Sequence, residues 1–256
     1  MAVERFITGL HVVAGMLVLV VAPAALLVRK GGRWHRRWGF VFAAAMALVI
    51  ATAAVMWIPH GHLFLLFLDV MSAYLIFAGL RVIARGRRKA RNRVADGVDL
   101  AAAAAVLASG CTLIAIAASA NTPLMRNLAP VLVALSAIGA AFAALDIKAL
   151  GARSRSRLGS LLFHLSAMIG AYVSAVTAFC VINFHAVPMP LRWFVPSAVG
   201  SIVIGAFSAT YRRRFAHAAE RSASARSARA ARSSRPLDNA DAEAIRELAS
   251  EVAGNQ

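Results

Sequence analysis

Seven apolar stretches, each about as long as a bilayer core is thick, constrain this chain more than any other feature. They are Phe6–Val28, Trp38–Ile58, Leu63–Ala84, Val98–Ala118, Leu128–Leu150, Leu158–Phe184 and Trp193–Tyr211. Hydrocarbon offers no water to a lone backbone amide, so each stretch has to be helical. The expected fold class is all-α, a polytopic transmembrane bundle of seven spans. Of the 256 residues, 60% are hydrophobic, against roughly 45–50% in a soluble domain.

The charges orient the bundle. The formal net charge is +17. Such a balance suits nucleic acid or an anionic membrane surface, and here the cations stand between apolar runs, which excludes nucleic acid and favours the membrane. The first loop holds Arg29, Lys30, Arg33, Arg36 and Arg37. The third holds Arg85, Arg87, Arg88, Lys89, Arg91 and Arg93, and the fifth Lys148, Arg153, Arg155 and Arg157. The even-numbered loops hold only Arg126 and Arg192, and Arg212–Arg214 follow the last run. This alternation predicts a bacterial inner-membrane protein with its N-terminus out and its C-terminus in the cytoplasm, against an anionic inner leaflet. The first run follows a Glu4–Arg5 pair and ends in cations, the reverse of a cleavable leader. Trp34, Trp38, Trp57 and Trp193 all fall where interfacial rings belong. Pro130 and Pro196 are expected in first turns, and Pro23 inside the first helix.

Three regions follow: a bundle over 1–211, a basic low-complexity linker over 212–235, expected to be disordered or to lie on lipid, and an acidic tail over 236–256. In the tail Ile245, Leu248, Ala249 and Val252 repeat at helical spacing. The two cysteines, Cys111 and Cys180, lie within apolar runs and read as buried apolar residues rather than a disulfide.

Ionisable side chains within spans are costly, so each is a candidate for function. One group is expected near the outer face: His11, Asp69, His60, His62 and His185. Another is expected near the inner face: His35 in the first loop, His164 and Asp146. An ionised Asp69 beside His11 would favour the imidazolium, giving a small proton-coupled carrier. His164 meets His35 if the first loop folds back under the bundle, giving a b-type haem or redox-linked protein; His11 would need an outer histidine for a second haem. The default reading, to which these two are alternatives, is a structural or interaction module in which these residues only bond helix to helix. Ser166, Gly170, Ser174 and Ala178 recur every fourth position of the sixth helix. Such a stripe admits close helix packing within the chain, or a homo-oligomer contact through Ser166, Gly170 and Ser174. No phosphate loop, HExxH, CxxC or nucleophile elbow is present, and whether the chain is an enzyme stays open.

The string RKGGRWHRRWG after a helix bearing His11, the string FHLSAMIGAYVSAVTAFCVIN from Phe163, and the following PLRWFVP together resemble an uncharacterised bacterial multi-pass membrane family, known as a domain of unknown function. The resemblance covers roughly Gly9 to Tyr211. It implies that Lys30, Gly31, His35, Arg36, Gly39, His164, Thr177 and Asn183 are the family-type positions, and it brings no activity with it.

Overall fold

A computed structural model describes residues 2–60, 63–86, 93–119, 123–151, 156–233, 250 and 253. Among the described residues the ordered elements are all α-helical: α1 Ala2–Leu27, α2 Arg33–His60, α3 Leu63–Gly86, α4 Arg93–Ser119, α5 Pro123–Gly151, α6 Arg157–Asn183 and α7 Met189–Ser233. Each of the seven is long and apolar enough to cross a membrane. Their outward side chains agree with such surroundings. Phe6 is 71% exposed, Phe40 75% and Ile202 71%. In water so much apolar surface would drive association, whereas lipid tails solvate it without cost.

Residues 1–208 and 209–256 form separate units. In the first, the broadest pairings are α1 with α2, α3 with α6, and α4 with α5. The α3 helix also meets α2, α4 and α5, which makes it the hub of the bundle. Its sequence explains why: Leu68, Met71, Leu75, Ala78 and Val82 follow helical spacing, and all are buried. Against it α6 sets Phe163, Ala167 and Ala171, also buried. The small-residue stripe of α6 faces the chain's own core where it can be placed, with Gly170 against Leu75 and Ser174 buried.

Several boundaries differ from the sequence reading. The α2 helix begins at Arg33, so Trp34, His35 and Arg36 stand in its first turn rather than in a loop. The α5 and α7 helices begin at Pro123 and Met189, which puts Pro130 and Pro196 inside them beyond the first turn. Trp193 is buried in the core. In the second unit, residues 209–233 continue as helix, where a low-complexity linker either disordered or lying on lipid was expected. Alanine and arginine are among the strongest helix formers, and that propensity outweighs the low complexity of the segment. The third-loop cations Arg87, Arg88, Lys89 and Arg91, the fifth-loop Arg153 and Arg155, and the acidic tail from 236 to 249 lie outside the described residues.

Candidate functional site

Helix ends leave carbonyls without partners, and the end of α1 recruits two side chains to satisfy them. The Lys30 ammonium donates to the carbonyl of Ala25 at 3.2 Å and to that of Leu26, and stands 5.1 Å above the Phe207 ring. Partial burial holds its pKa below the ordinary lysine value. Gly31 then takes φ +76°, a conformation that disfavours any side chain, and the chain reverses into α2. The exposed Arg36 guanidinium donates back to the Gly31 carbonyl at 2.9 Å and ties the turn. Lys30, Gly31 and Arg36 therefore build a fixed connection between α1 and α2.

That turn delivers His35. Its Nδ1 lies 3.1 Å from the Ala25 carbonyl oxygen, the oxygen that Lys30 also binds. On α6, His164 Nδ1 lies 2.8 Å from the carbonyl oxygen of Gly79 on α3. A carbonyl can only accept, so each Nδ1 carries the proton. In the neutral ring Nε2 is then the basic nitrogen with an open lone pair. The two rings meet edge to face, with centroids 6.4 Å apart and planes at 82°. Four helices thus converge: α1 and α3 supply the anchoring carbonyls, α2 and α6 the imidazoles. Holding Nδ1–H on a backbone carbonyl is how a metal-ligating histidine is usually oriented.

His11 is placed elsewhere and serves differently. Its Nδ1 lies 2.9 Å from Thr52 Oγ1, and that hydroxyl contacts its own helix's carbonyls at Leu48 and Val49. This is a latch between α1 and α2. The expected pair with Asp69 is not formed: among the described residues no hydrogen bond or ion pair engages the half-buried Asp69 carboxylate. The side chains of His60, His62 and Trp57 lie outside the described residues. His185 is exposed in the α6–α7 turn. Asn183 donates from Nδ2 to the Phe179 carbonyl at 2.8 Å, a local bond within its helix end. Thr177 is buried and lines, with Leu68, Met71 and Ser201, a cavity of about 60 Å³ between α3, α5, α6 and α7.

Sequence reading missed a buried charge cluster. Arg81 on α3 grips Asp99 on α4 with two parallel bonds, Nε to Oδ1 at 2.6 Å and Nη2 to Oδ2 at 3.0 Å. Arg85 lies between Asp99, at 3.6 Å, and Asp146 on α5, at 2.5 Å. Asp99 is 0% exposed and Asp146 1%. Arg81 stands inside the third apolar run and Asp99 inside the fourth, so both were visible as ionisable residues within spans. Arg81 and Arg85, four apart, share one helix face. Four further backbone acceptors were invisible in the sequence. Pro23 has no N–H for the Leu19 carbonyl, and the Tyr172 hydroxyl donates there at 3.4 Å. Arg192, the stray cation of an even-numbered loop, donates to the carbonyls of Val181, His185 and Val187, which close the end of α6.

No family model, curated protein or solved structure matches this chain.

Proposed function

We propose that this chain is a redox-linked protein of a bacterial inner membrane, N-terminus out and C-terminus in, whose working site is a two-imidazole transition-metal centre made by His35 and His164. One observation carries the reading: two histidines on different helices, each held through Nδ1 by a backbone carbonyl, stand with ring centroids 6.4 Å apart. A purely structural histidine needs one partner, and each already has it. The second basic nitrogen of each ring is left for a Lewis acid, either the iron of a b-type haem or a bare ion. The residues that build the turn, Lys30, Gly31, Arg36 and His35, are also the ones through which the chain resembles the multi-pass family described above. The carrier reading through His11 and Asp69 has less support, because His11 is engaged by Thr52.

Protein purified from cells supplied with iron, copper and haem is expected to carry metal that survives gel filtration in His11→Ala and is absent in His35→Ala and His164→Ala. The readouts are elemental analysis and the absorption spectrum. Metal retained after loss of both imidazoles ends the proposal. Orientation is tested separately. Phosphatase fusions at Gly32 are expected to be silent and at Ala186 active, and a green fluorescent fusion after Gln256 is expected to glow. Met1 and Gln256 found on one side would overturn the assignment.

A further inference from the structure

We infer that the first turn of α2 seats an anionic phospholipid of the inner leaflet, its phosphate on Arg33 and Arg37 and an acyl chain along the helix below them. This goes beyond the two-imidazole reading and does not depend on it. One face of α2 carries the inference. Arg33, Arg37, Phe40, Ala44 and Leu48 follow at steps of three or four residues, and all five are exposed. Such steps keep to a single side of a helix. The face is cationic in its first turn and apolar after it, which is the order of a lipid's headgroup and chain. From Arg37 to Leu48 the helix rises about 16 Å. That is roughly half of a 30 Å hydrocarbon core, the depth of one leaflet. His35 stands about 200° round the helix from Arg33, so the imidazole pair occupies the opposite side of the same turn.

Both guanidiniums are available to a headgroup. Of their neighbours, Lys30 closes the end of α1 and Arg36 ties the Gly31 carbonyl. Deeper in the bundle Arg81 and Arg85 are taken by Asp99 and Asp146. Among the described residues no carboxylate or carbonyl engages Arg33 or Arg37. Arg37 instead stands 5.3 Å from the centre of the Trp34 ring, and that ring is 59% exposed. The contact holds the guanidinium beside an aromatic of the kind that rests at headgroup level. Arginine meets phosphate through paired N–H donors, and the positive end of the α2 dipole adds to the same charge.

Other occupants fit this face less well. A soluble acidic partner could reach the arginines but not Phe40 and Leu48, which are exposed within a span long and apolar enough to cross a membrane. A second copy packed face to face about a two-fold axis would set Arg33 and Arg37 against their own equivalents, like charges at one depth. A zwitterionic lipid brings its own cation beside the phosphate, so two unpaired guanidiniums favour a headgroup of net negative charge.

The test uses the full-length protein in phosphatidylcholine nanodiscs. Phe40→Trp reports from the apolar part of the face through the emission it adds over wild type. Rising fractions of the host lipid are replaced by chain-brominated phosphatidylglycerol or chain-brominated phosphatidylcholine, which quench on contact. The anionic lipid is expected to quench half of the added emission at about 25-fold lower mole fraction, roughly fivefold for each arginine. Arg33→Gln and Arg37→Gln, each made in Phe40→Trp, are expected to remove about fivefold of that preference. Arg213→Gln with Arg214→Gln removes exposed charge elsewhere and is expected to leave the preference unchanged. Native mass spectrometry needs no variant. Wild type released from detergent holding equal amounts of both lipids is expected to keep one phosphatidylglycerol, which glycerol phosphate, a headgroup without chains, does not displace. Equal quenching by the two lipids, or an equal loss in the Arg213 and Arg214 variant, overturns the site. Displacement by glycerol phosphate marks a phosphate site without a chain and overturns the lipid. A dimer by mass spectrometry, with the added emission quenched by neither lipid, gives the face to a second copy and overturns the proposal as well.

Discussion

Replacing Asp99 with leucine is expected to destabilise the bundle by about 3–5 kcal/mol, the usual cost of breaking a buried ion pair from one side. The carboxylate is fully buried, takes both parallel bonds of Arg81, and lies 3.6 Å from Arg85. Taking it away leaves the two guanidiniums with Asp146 and, around Arg81, Asp96, in a low-dielectric interior, where much of the attraction that offset their desolvation is lost. The same logic predicts recovery. Arg81→Met with Asp99→Leu removes a charge of each sign together and leaves the Arg85–Asp146 pair intact, so the double variant is expected to regain most of the loss. Titration of the detergent-solubilised protein with SDS, followed by tryptophan fluorescence, reads both. A single variant as stable as wild type would show that the cluster contributes nothing net. A double variant no better than the single would show that the loss comes from packing rather than from charge.

The cluster also shows what could be read beforehand. Seven helices were legible because hydrocarbon leaves a chain no other choice, and the runs had to be long. Their ends were not. Gly31 and Gly32 place the reversal before Arg33, so the basic string that read as a loop is mostly the first turn of α2. The length of α7 was hidden by composition, since Arg/Ala/Ser repeats look disordered while Ala and Arg favour helix. The approach of His35 to His164 could be anticipated from depth alone, but their anchors could not. Ala25 and Gly79 contribute through their carbonyls, and a carbonyl leaves no mark in a sequence. Arg81 and Asp99 were legible and overlooked: two opposite charges at neighbouring ends of consecutive runs are a pair that the cost of burial nearly demands. Asp69 and His11 illustrate the reverse error. Similar depth put them together on paper, yet Thr52, a residue of no apparent promise, is the one His11 reaches.

Gly79 should tolerate no branched side chain. The reason is not its backbone, which is helical, but the approach of α6. A Cβ built there would lie 3.1 Å from Ala167 Cβ and would run into the end of Met168. Methionine can swing away, so Gly79→Ala sets the gain of about 1 kcal/mol from removing a helix glycine against a local shift, and a small net effect is expected. Valine adds methyl groups with nowhere to go. Gly79→Val is therefore expected to cost about 1–3 kcal/mol through overpacking between α3 and α6, the pair at the centre of the bundle. The control is Gly15→Val on α1, where nothing lies within 4 Å of the added Cβ and little change is expected. The variant also separates packing from site. Moving α6 off α3 pulls His164 Nδ1 from the Gly79 carbonyl, so metal affinity is expected to fall by roughly 10–100-fold, as when an outer-shell partner is lost, while Gly15→Val binds as wild type. Measuring stability and affinity on the two proteins side by side decides it. Equal affinity in both would mean that the carbonyl does not orient the imidazole, and equal stability would mean that α3 and α6 are not packed as tightly as their glycine and alanine contacts require.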